Sequence, residues 1–288
     1  MLAAIVNQIL QGVLLGGLYA MFAMGLSLSV GILRFVNIAH GDLIVAASFL
    51  LLTLTSQLGL PPFLAVLLVI PVAFGGGYLL QRLLFQRALG KSVLPIILVT
   101  FGLSIIIQNG LLGAYGADTR KVAGGAFETA TLALGDGVNI GVLPLTIFLT
   151  AVAMIGLLDR LLYATRIGAR IRAVSDDVAT ADLVGLPSAR IYAIAMGVVG
   201  VTIAISAGFM SIWTNFDPAS GPSRLITAFE AVVLGGLGSL WGTLAGGIVL
   251  GVAQSLGAQV DAAWQVLAGH LVFLTVFLIR PQGLFPRS

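Results

Sequence analysis

Few side chains in this sequence could do chemistry, and they are thinly spread. There is no cysteine, and the two histidines, His40 and His270, stand near opposite ends of the chain. That set excludes disulfides and thiolate metal sites and leaves no cluster for a metal or a catalytic dyad. Gly90-Lys91-Ser92 has the ending of a phosphate-binding loop. Such a loop needs a glycine five residues before Gly90, where Phe85 stands, and no strand precedes it. No catalytic residue, cofactor or nucleotide site is therefore expected. Two groups of polar residues remain. Glu230 is alone in a long apolar run. A carboxylate at the centre of a bilayer costs about 2.5–3.5 kcal/mol on insertion scales, so by default it marks a solute or ion path. The plainer reading is an interfacial anchor within two turns of Arg224. Asn37, His40 and Asp42 cluster between the first two apolar segments, and their plainer reading is a polar turn capping the second helix.

The elements that must position these residues follow from composition. The chain is 288 residues long, 59% hydrophobic and 9% charged, where a soluble domain carries about 25% charged residues. Mean hydropathy is +1.10. A soluble enzyme is excluded. The excess of 14 Lys+Arg over 11 Asp+Glu is too small for a nucleic-acid footprint. The expected fold is an all-α polytopic membrane protein, one domain in the lipid bilayer. A span needs about 20 apolar residues. Apolar segments run over 1–33, 41–57, 63–81, 92–117, 137–158, 191–216, 225–257 and 262–279, about eight in all. The first lacks a basic leader and is too long for a signal peptide's apolar core, so it is expected to stay in the mature protein.

The basic residues orient the spans. Arg82, Arg87 and Lys91 fall in one loop. Arg160, Arg166, Arg170, Arg172 and Arg190 fall in another, and Arg280 and Arg287 in the tail. All three should be cytoplasmic. The loops at 118–136, where Asp118, Glu128 and Asp136 offset Arg120 and Lys121, and at 213–224 should be external. Tyr115, Trp213 and Trp264 then lie at the outer interface, and Tyr163 and Tyr192 at the inner one. Arg34 puts the N-terminus outside if 41–57 crosses fully; a re-entrant 37–57 would put it inside. With 213–224 outside and the tail inside, two full crossings between them are one too many. The segment that fails to cross should be 225–257, whose middle reads Val233-Leu234-Gly235-Gly236-Leu237-Gly238-Ser239-Leu240-Trp241-Gly242. Glycine weakens a helix by about 1 kcal/mol relative to alanine. Two half-helices meeting near 235–241 and opening to the outer side are expected, with a single kinked helix and an outside C-terminus as the alternative. Non-helical backbone within the bilayer must be buried in protein or line a cavity. Gly238, Gly242 and Gly246, and Gly12 and Gly16, have the four-residue spacing that lets helices approach closely. Packing within one subunit is favoured over a dimer seam.

The loop 166–190 is the strongest signal outside the spans. Ser175 is expected to cap a helix with Asp176 and Asp177 in its first turn, where the macrodipole favours acids. Gly185 suits the position just past its end, and Pro187 stops it. About nine residues span roughly 14 Å, too short to cross. Val178, Ala181 and Leu186 form an apolar side, and Arg170 and Arg172 precede it. Such a helix either docks into a partner or lies on the inner leaflet.

Four motifs in order now point to a family. Asn37-Ile38-Ala39-His40-Gly41-Asp42, the run from Ala228-Phe229 to Gly246-Gly247, the segment Ile171–Leu186 and the tail Arg280-Pro281-Gln282-Gly283-Leu284-Phe285 resemble signatures of the branched-chain amino acid ABC transporter permeases, in particular the shorter permease of such systems. The resemblance covers nearly the whole chain. It implies a single permease domain over 1–288 in the bacterial inner membrane, working by alternating access. The implied partners are a second homologous permease, two cytoplasmic ATPases and an external, periplasmic solute-binding protein. The ATPases would act on Arg170, Arg172, Ser175, Asp176, Asp177, Val178, Ala181, Gly185 and Leu186. The implied translocation path takes in Asn37, His40, Glu230, Gly235, Gly236 and Gly238. The family also imports urea, amides and aromatic acids, and more often has a neutral residue where this chain has Glu230. The competing reading, a self-contained secondary transporter or channel, gives the capped loop no role.

Overall fold

The computed structural model describes residues 2–90, 92–133 and 139–285. Lys91, Asp136 and Arg287, used in the charge reading, lie outside the described residues. The chain is a helical bundle. Helix α1 (Leu2–Leu28) runs on through a π-helical turn at Ser29–Leu33. It is followed by α2 (His40–Gln57) and α3 (Pro62–Leu80), which continues through Gln81–Phe85 into α4 (Gln86–Ala88). Then come α5 (Leu94–Tyr115), the single turn α6 (Ala126–Thr129), and a small hairpin of β1 (Thr131–Ala133) on β2 (Asn139–Gly141). The rest is α7 (Val142–Ala164), α8 (Arg166–Asp176), α9 (Val178–Leu183), α10 (Ser188–Trp213), α11 (Gly221–Gly235), α12 (Leu240–Val260) and α13 (Trp264–Ile279). Among the described residues six helices are long and apolar enough to cross a membrane: α1, α3 with α4, α5, α7, α10 and α12. The spans of α1 and α10 are 78% buried and those of α3 and α5 only 17%. The first two therefore form the centre, and the last two present apolar faces outward.

Antiparallel packing of α1 on α12 fixes the depth of everything else. Ser255 Oγ donates to the Gln8 carbonyl at 2.8 Å, and Thr243 Oγ1 to Ser27 Oγ at 3.0 Å. Gly12 and Gly16 lie directly on Gly251 and Ile248. Gly242 and Gly246 pack on Gly235 and Ala231 of α11 in the same way. The small-residue spacing thus serves packing inside the subunit, as expected. At one end Gly31 abuts Gly238 and accepts a hydrogen bond from Ser175 in the basic loop; the basic residues there mark it as the expected cytoplasmic end. At the other, Arg120 and Phe216 exchange backbone hydrogen bonds of 2.8 and 2.9 Å, and Gln11 reaches the Asn139 carbonyl, which ties the external loops together.

Two helices begin inside the bundle. After α1, Arg34 takes a left-handed conformation (φ 57°), and residues 34–39 turn back into the protein. Helix α2 starts where His40 Nε2 meets the Phe22 carbonyl at 2.8 Å, about nine residues, or roughly 14 Å, up α1 from the Gly31 end. It runs outward until Phe49 packs on Phe216 and Tyr115. The N-terminus is thus at the outer end, although 34–39 itself is re-entrant. Helix α11 begins at Gly221, against Gly41, and runs inward to Gly235. So α11 does not cross, α12 does, and α13 returns the chain to the cytoplasmic end. Two expectations need correcting. Of the two expected half-helices only α11 is one, since α12, at 21 residues, is long enough to span. The glycine break is not midway through the bilayer. Gly236 (φ 103°) and Gly238 (φ 79°) close a hairpin at the cytoplasmic end, where the tail covers it: the Leu284 and Phe285 N–H groups donate to the Leu234 and Gly235 carbonyls at 2.8 and 3.1 Å. These bonds satisfy carbonyls that a helix end leaves free.

Candidate functional site

The two inward-starting helices build the first part of the site. Their N-termini meet at Gly41 and Gly221. A Cβ on Gly41 would fall onto the Gly221 carbonyl oxygen, and one on Gly221 onto the Asp42 carboxylate, so only glycine permits the approach. Asp42 lies in the first turn of α2, where a negative charge suits the dipole of both helix starts. It is 2% exposed, and the Gln108 amide of α5 donates to its Oδ1 at 2.9 Å and to Ser104 Oγ at 3.1 Å. Asn37 caps the turn that launches α2: its Oδ1 accepts from Ala39 N at 3.1 Å, and its carbonyl from His40 N at 3.1 Å. His40 must donate from Nε2, because the Phe22 carbonyl can only accept. Its Nδ1 and Asn37 Nδ2 are buried with no hydrogen-bond partner. Asn37 and His40 are enclosed by the subunit's own helices, at 0% and 1% exposure.

Glu230 belongs to a different environment from this junction. Its Oε1 is paired with His270 Nδ1 of α13, and its Oε2 has no partner. The carboxylate is buried, and the half-helix α11 is thereby joined to the last span. Gly235, Gly236 and Gly238 sit one to two turns further on, at the cytoplasmic hairpin. The sequence pairs His270 with nothing, because the two histidines lie near opposite ends of the chain; the fold brings it to Glu230, 40 residues away. The pairing of Gln108 with Asp42 was missed for the same reason.

The cytoplasmic loop forms the third part. It holds two helices rather than one. Thr165 caps α8, its Oγ1 accepting from Gly168 N at 3.0 Å. Ser175 therefore lies in the last turn of α8 and is not a cap; its hydroxyl instead donates to the Gly31 carbonyl at 3.3 Å. Asp176 ends α8. Asp177 has extended backbone and caps α9, accepting from Thr180 N at 3.1 Å and from the Thr180 hydroxyl at 2.6 Å. The hydroxyl bond first, and then the backbone N–H, hold its carboxyl below the usual carboxylate range. At the far end Gly185 has φ 83°. Gly185 N donates to Asp182 O at 3.1 Å and Leu186 N to Ala181 O at 3.0 Å, the paired bonds of a Schellman stop. Ala181 packs inward, Val178 is partly exposed, and Leu183 and Val184 are 87% and 71% exposed. Arg172 lies over the Tyr163 ring at 4.7 Å. The Tyr192 hydroxyl donates to the Val174 carbonyl at 3.3 Å, anchoring α8 to α10. Arg170 is on the exposed side of α8.

A family model described as "Branched-chain amino acid transport system / permease component" matches residues 8–279. The chain is 29% identical over 296 residues to the high-affinity branched-chain amino acid transport system permease protein BraD of Pseudomonas aeruginosa, covering 98% of this chain and 95% of that one. It is 27% identical, with the same coverage, to the permease protein LivH of Escherichia coli K12. It is also 27% identical to the fructose import permease protein FrcC of Rhizobium meliloti, over 96% of this chain and 83% of that one.

Proposed function

The chain belongs to the permease-component family of branched-chain amino acid transport systems, and from that premise we propose that it forms one half of the pore of an ABC importer in the bacterial inner membrane. The proposed solute is a branched-chain amino acid. The whole chain acts as one permease domain. It pairs with a second homologous permease, receives solute from an external binding protein and is driven by two cytoplasmic ATPases. The chain itself is not an enzyme.

One observation carries the reading. The α8–α9 module stands outside the spans, is capped at both ends, and turns Leu183 and Val184 outward at the cytoplasmic end. Large apolar side chains held out on a rigid, capped turn suit a protein groove. The module also has a route into the bundle. Ser175 bonds Gly31, Gly31 abuts Gly238, and Gly238 belongs to the hairpin that ends α11. A push on α8 and α9 therefore reaches a half-helix whose other end meets α2 and Asp42 in mid-span. Alternating access then means small shifts of α11 relative to α2 at the glycine contact. A self-contained carrier has no use for such a module.

Replacing Leu183 and Val184 together with serine tests this. The spans are untouched, so the variant should reach the membrane at normal levels. ATPase subunits should no longer co-purify, and uptake of leucine, isoleucine and valine should fall at least tenfold. Full uptake by this variant, or by the wild-type chain reconstituted alone, would overturn the reading.

A further inference from the structure

Two cavities open side by side at the cytoplasmic end of the bundle. The first, about 440 Å³, lies between α8 and the start of α10; Arg170 and Arg190 stand at it, with Ile167, Ile171, Ile191 and Ile194. The second, about 390 Å³, shares Pro187 and Arg190 with the first and adds Tyr78 and Arg82 from the end of α3. No acidic residue lines either one. Asp182, the closest acid along the chain, is already engaged by the Ser188 backbone N–H and hydroxyl at 3.2 and 3.1 Å. Among the described residues no carboxylate pairs with Arg82, Arg170 or Arg190.

The arrangement has a direction. Arg190 and Ile194 are one turn apart on the same face of α10, and Ile194 is the deeper in the span. Basic groups therefore stand at the membrane surface, and isoleucines continue from them toward the hydrocarbon. Guanidinium groups recognise phosphate oxygens through paired, charge-assisted hydrogen bonds. Basic pockets between spans on the cytoplasmic side fit the headgroups of anionic lipids. A free phosphate has no use for the isoleucine wall, whereas an acyl chain does. We propose that this double cavity binds one anionic phospholipid of the inner leaflet, its phosphate held by Arg170, Arg190 and Arg82 and an acyl chain laid along Ile191 and Ile194. The lipid would bridge α8, α10 and α3, and so brace the coupling module against the bundle. This site is independent of which solute is carried.

Native mass spectrometry of the transporter purified in mild detergent reads the site directly. Phosphatidylglycerol should add to this subunit one for one, and phosphatidylcholine with the same acyl chains at least tenfold more weakly. The pair Arg170→Gln and Arg190→Gln should abolish the adduct. Arg87→Gln, at the same end but lining neither cavity, should leave it unchanged. Arg82→Gln lies outside the coupling module and should weaken the adduct several-fold, which covers the case in which the double variant does not fold. Equal binding of the two lipids, equal loss in Arg87→Gln, or an Arg82→Gln variant as good as wild type would reduce the site to general attraction by a basic belt. Saturation by inorganic phosphate that displaces no lipid would make it a free-anion site. Each of these results overturns the proposal.

Discussion

At the scale of single residues, close helix contacts and caps are decided by individual atoms. Gly41 meets the Gly221 carbonyl across the α2–α11 junction, while Gly75 on α3 has open space where a Cβ would go. Gly41→Ala should therefore force the two half-helices apart, at a cost of about 1–3 kcal/mol as overpacking does. Gly75→Ala should be neutral or stabilising by up to about 1 kcal/mol through helix propensity. Thermal unfolding of the two purified variants in detergent compares them, and a Gly41→Ala protein as stable as wild type would remove the junction. Asp177 makes a second prediction. Its carboxyl is held below its ordinary value by the Thr180 hydroxyl and N–H, so ionisation and capping reinforce each other. A depressed value means that the cap is complete above the unfolded carboxyl's titration, near pH 4, and is lost as pH falls through the lower folded value. Amides of 178–185 should exchange faster with solvent only in that acid window. Asp177→Asn keeps the accepting oxygen and should show no such acid step. An acid step that persists in Asp177→Asn would place the titrating group elsewhere.

At the scale of elements, the half-helix α11 is held at its far end by α12 and the tail, and along its length by the Glu230–His270 pair with α13. If that pair is a clamp, Glu230→Leu and His270→Leu should each lower the unfolding temperature. The double variant should lose less than the two together, with a coupling of about 0.5–3 kcal/mol. Glu230→Gln keeps an oxygen for the imidazole and should leave solute preference unchanged; a changed preference would put the carboxylate on the solute path instead. Charge counting along the sequence located this element's special status, because a tail with Arg280 on the inner side leaves one crossing too many. It could not place the break, because glycine runs report weak helix and not depth. Depth comes from partners far along the chain, such as Gly31 for Gly238 and Gly41 for Gly221. The cytoplasmic loop was legible in its stop signal, Gly185 before Pro187, which depends only on local geometry. Its start was misread at Ser175, because Thr165 offers an earlier cap and the buried face of Ile171 and Val174 carries α8 through that serine. Residue type alone did not distinguish a cap from a serine in the last turn.

At the scale of the whole molecule, the topology rests on α11 turning back while α12 crosses, and the chain's lack of cysteine makes that directly readable. Ala262, between α12 and α13, is exposed at the outer end, and Gln282 is exposed beside the cytoplasmic hairpin. Neither belongs to the helix contacts that hold the bundle, so a cysteine at either position should be tolerated. In intact cells a membrane-impermeant thiol reagent should label Ala262→Cys and spare Gln282→Cys; after the membrane is opened both should react. The two sites test separate parts of the fold. If 221–260 were one kinked crossing, Ala262→Cys would be silent from outside and Gln282→Cys would react there, exchanging the two results. If α13, at 16 residues and roughly 24 Å shorter than the six long spans, failed to cross, both would be labelled from outside. The arrangement in which α11 starts at mid-span and ends at the cytoplasmic hairpin, α12 returns outward and α13 crosses inward gives label at 262 and none at 282. That same arrangement carries the tail to the inner face, where Leu284 and Phe285 bond the end of α11.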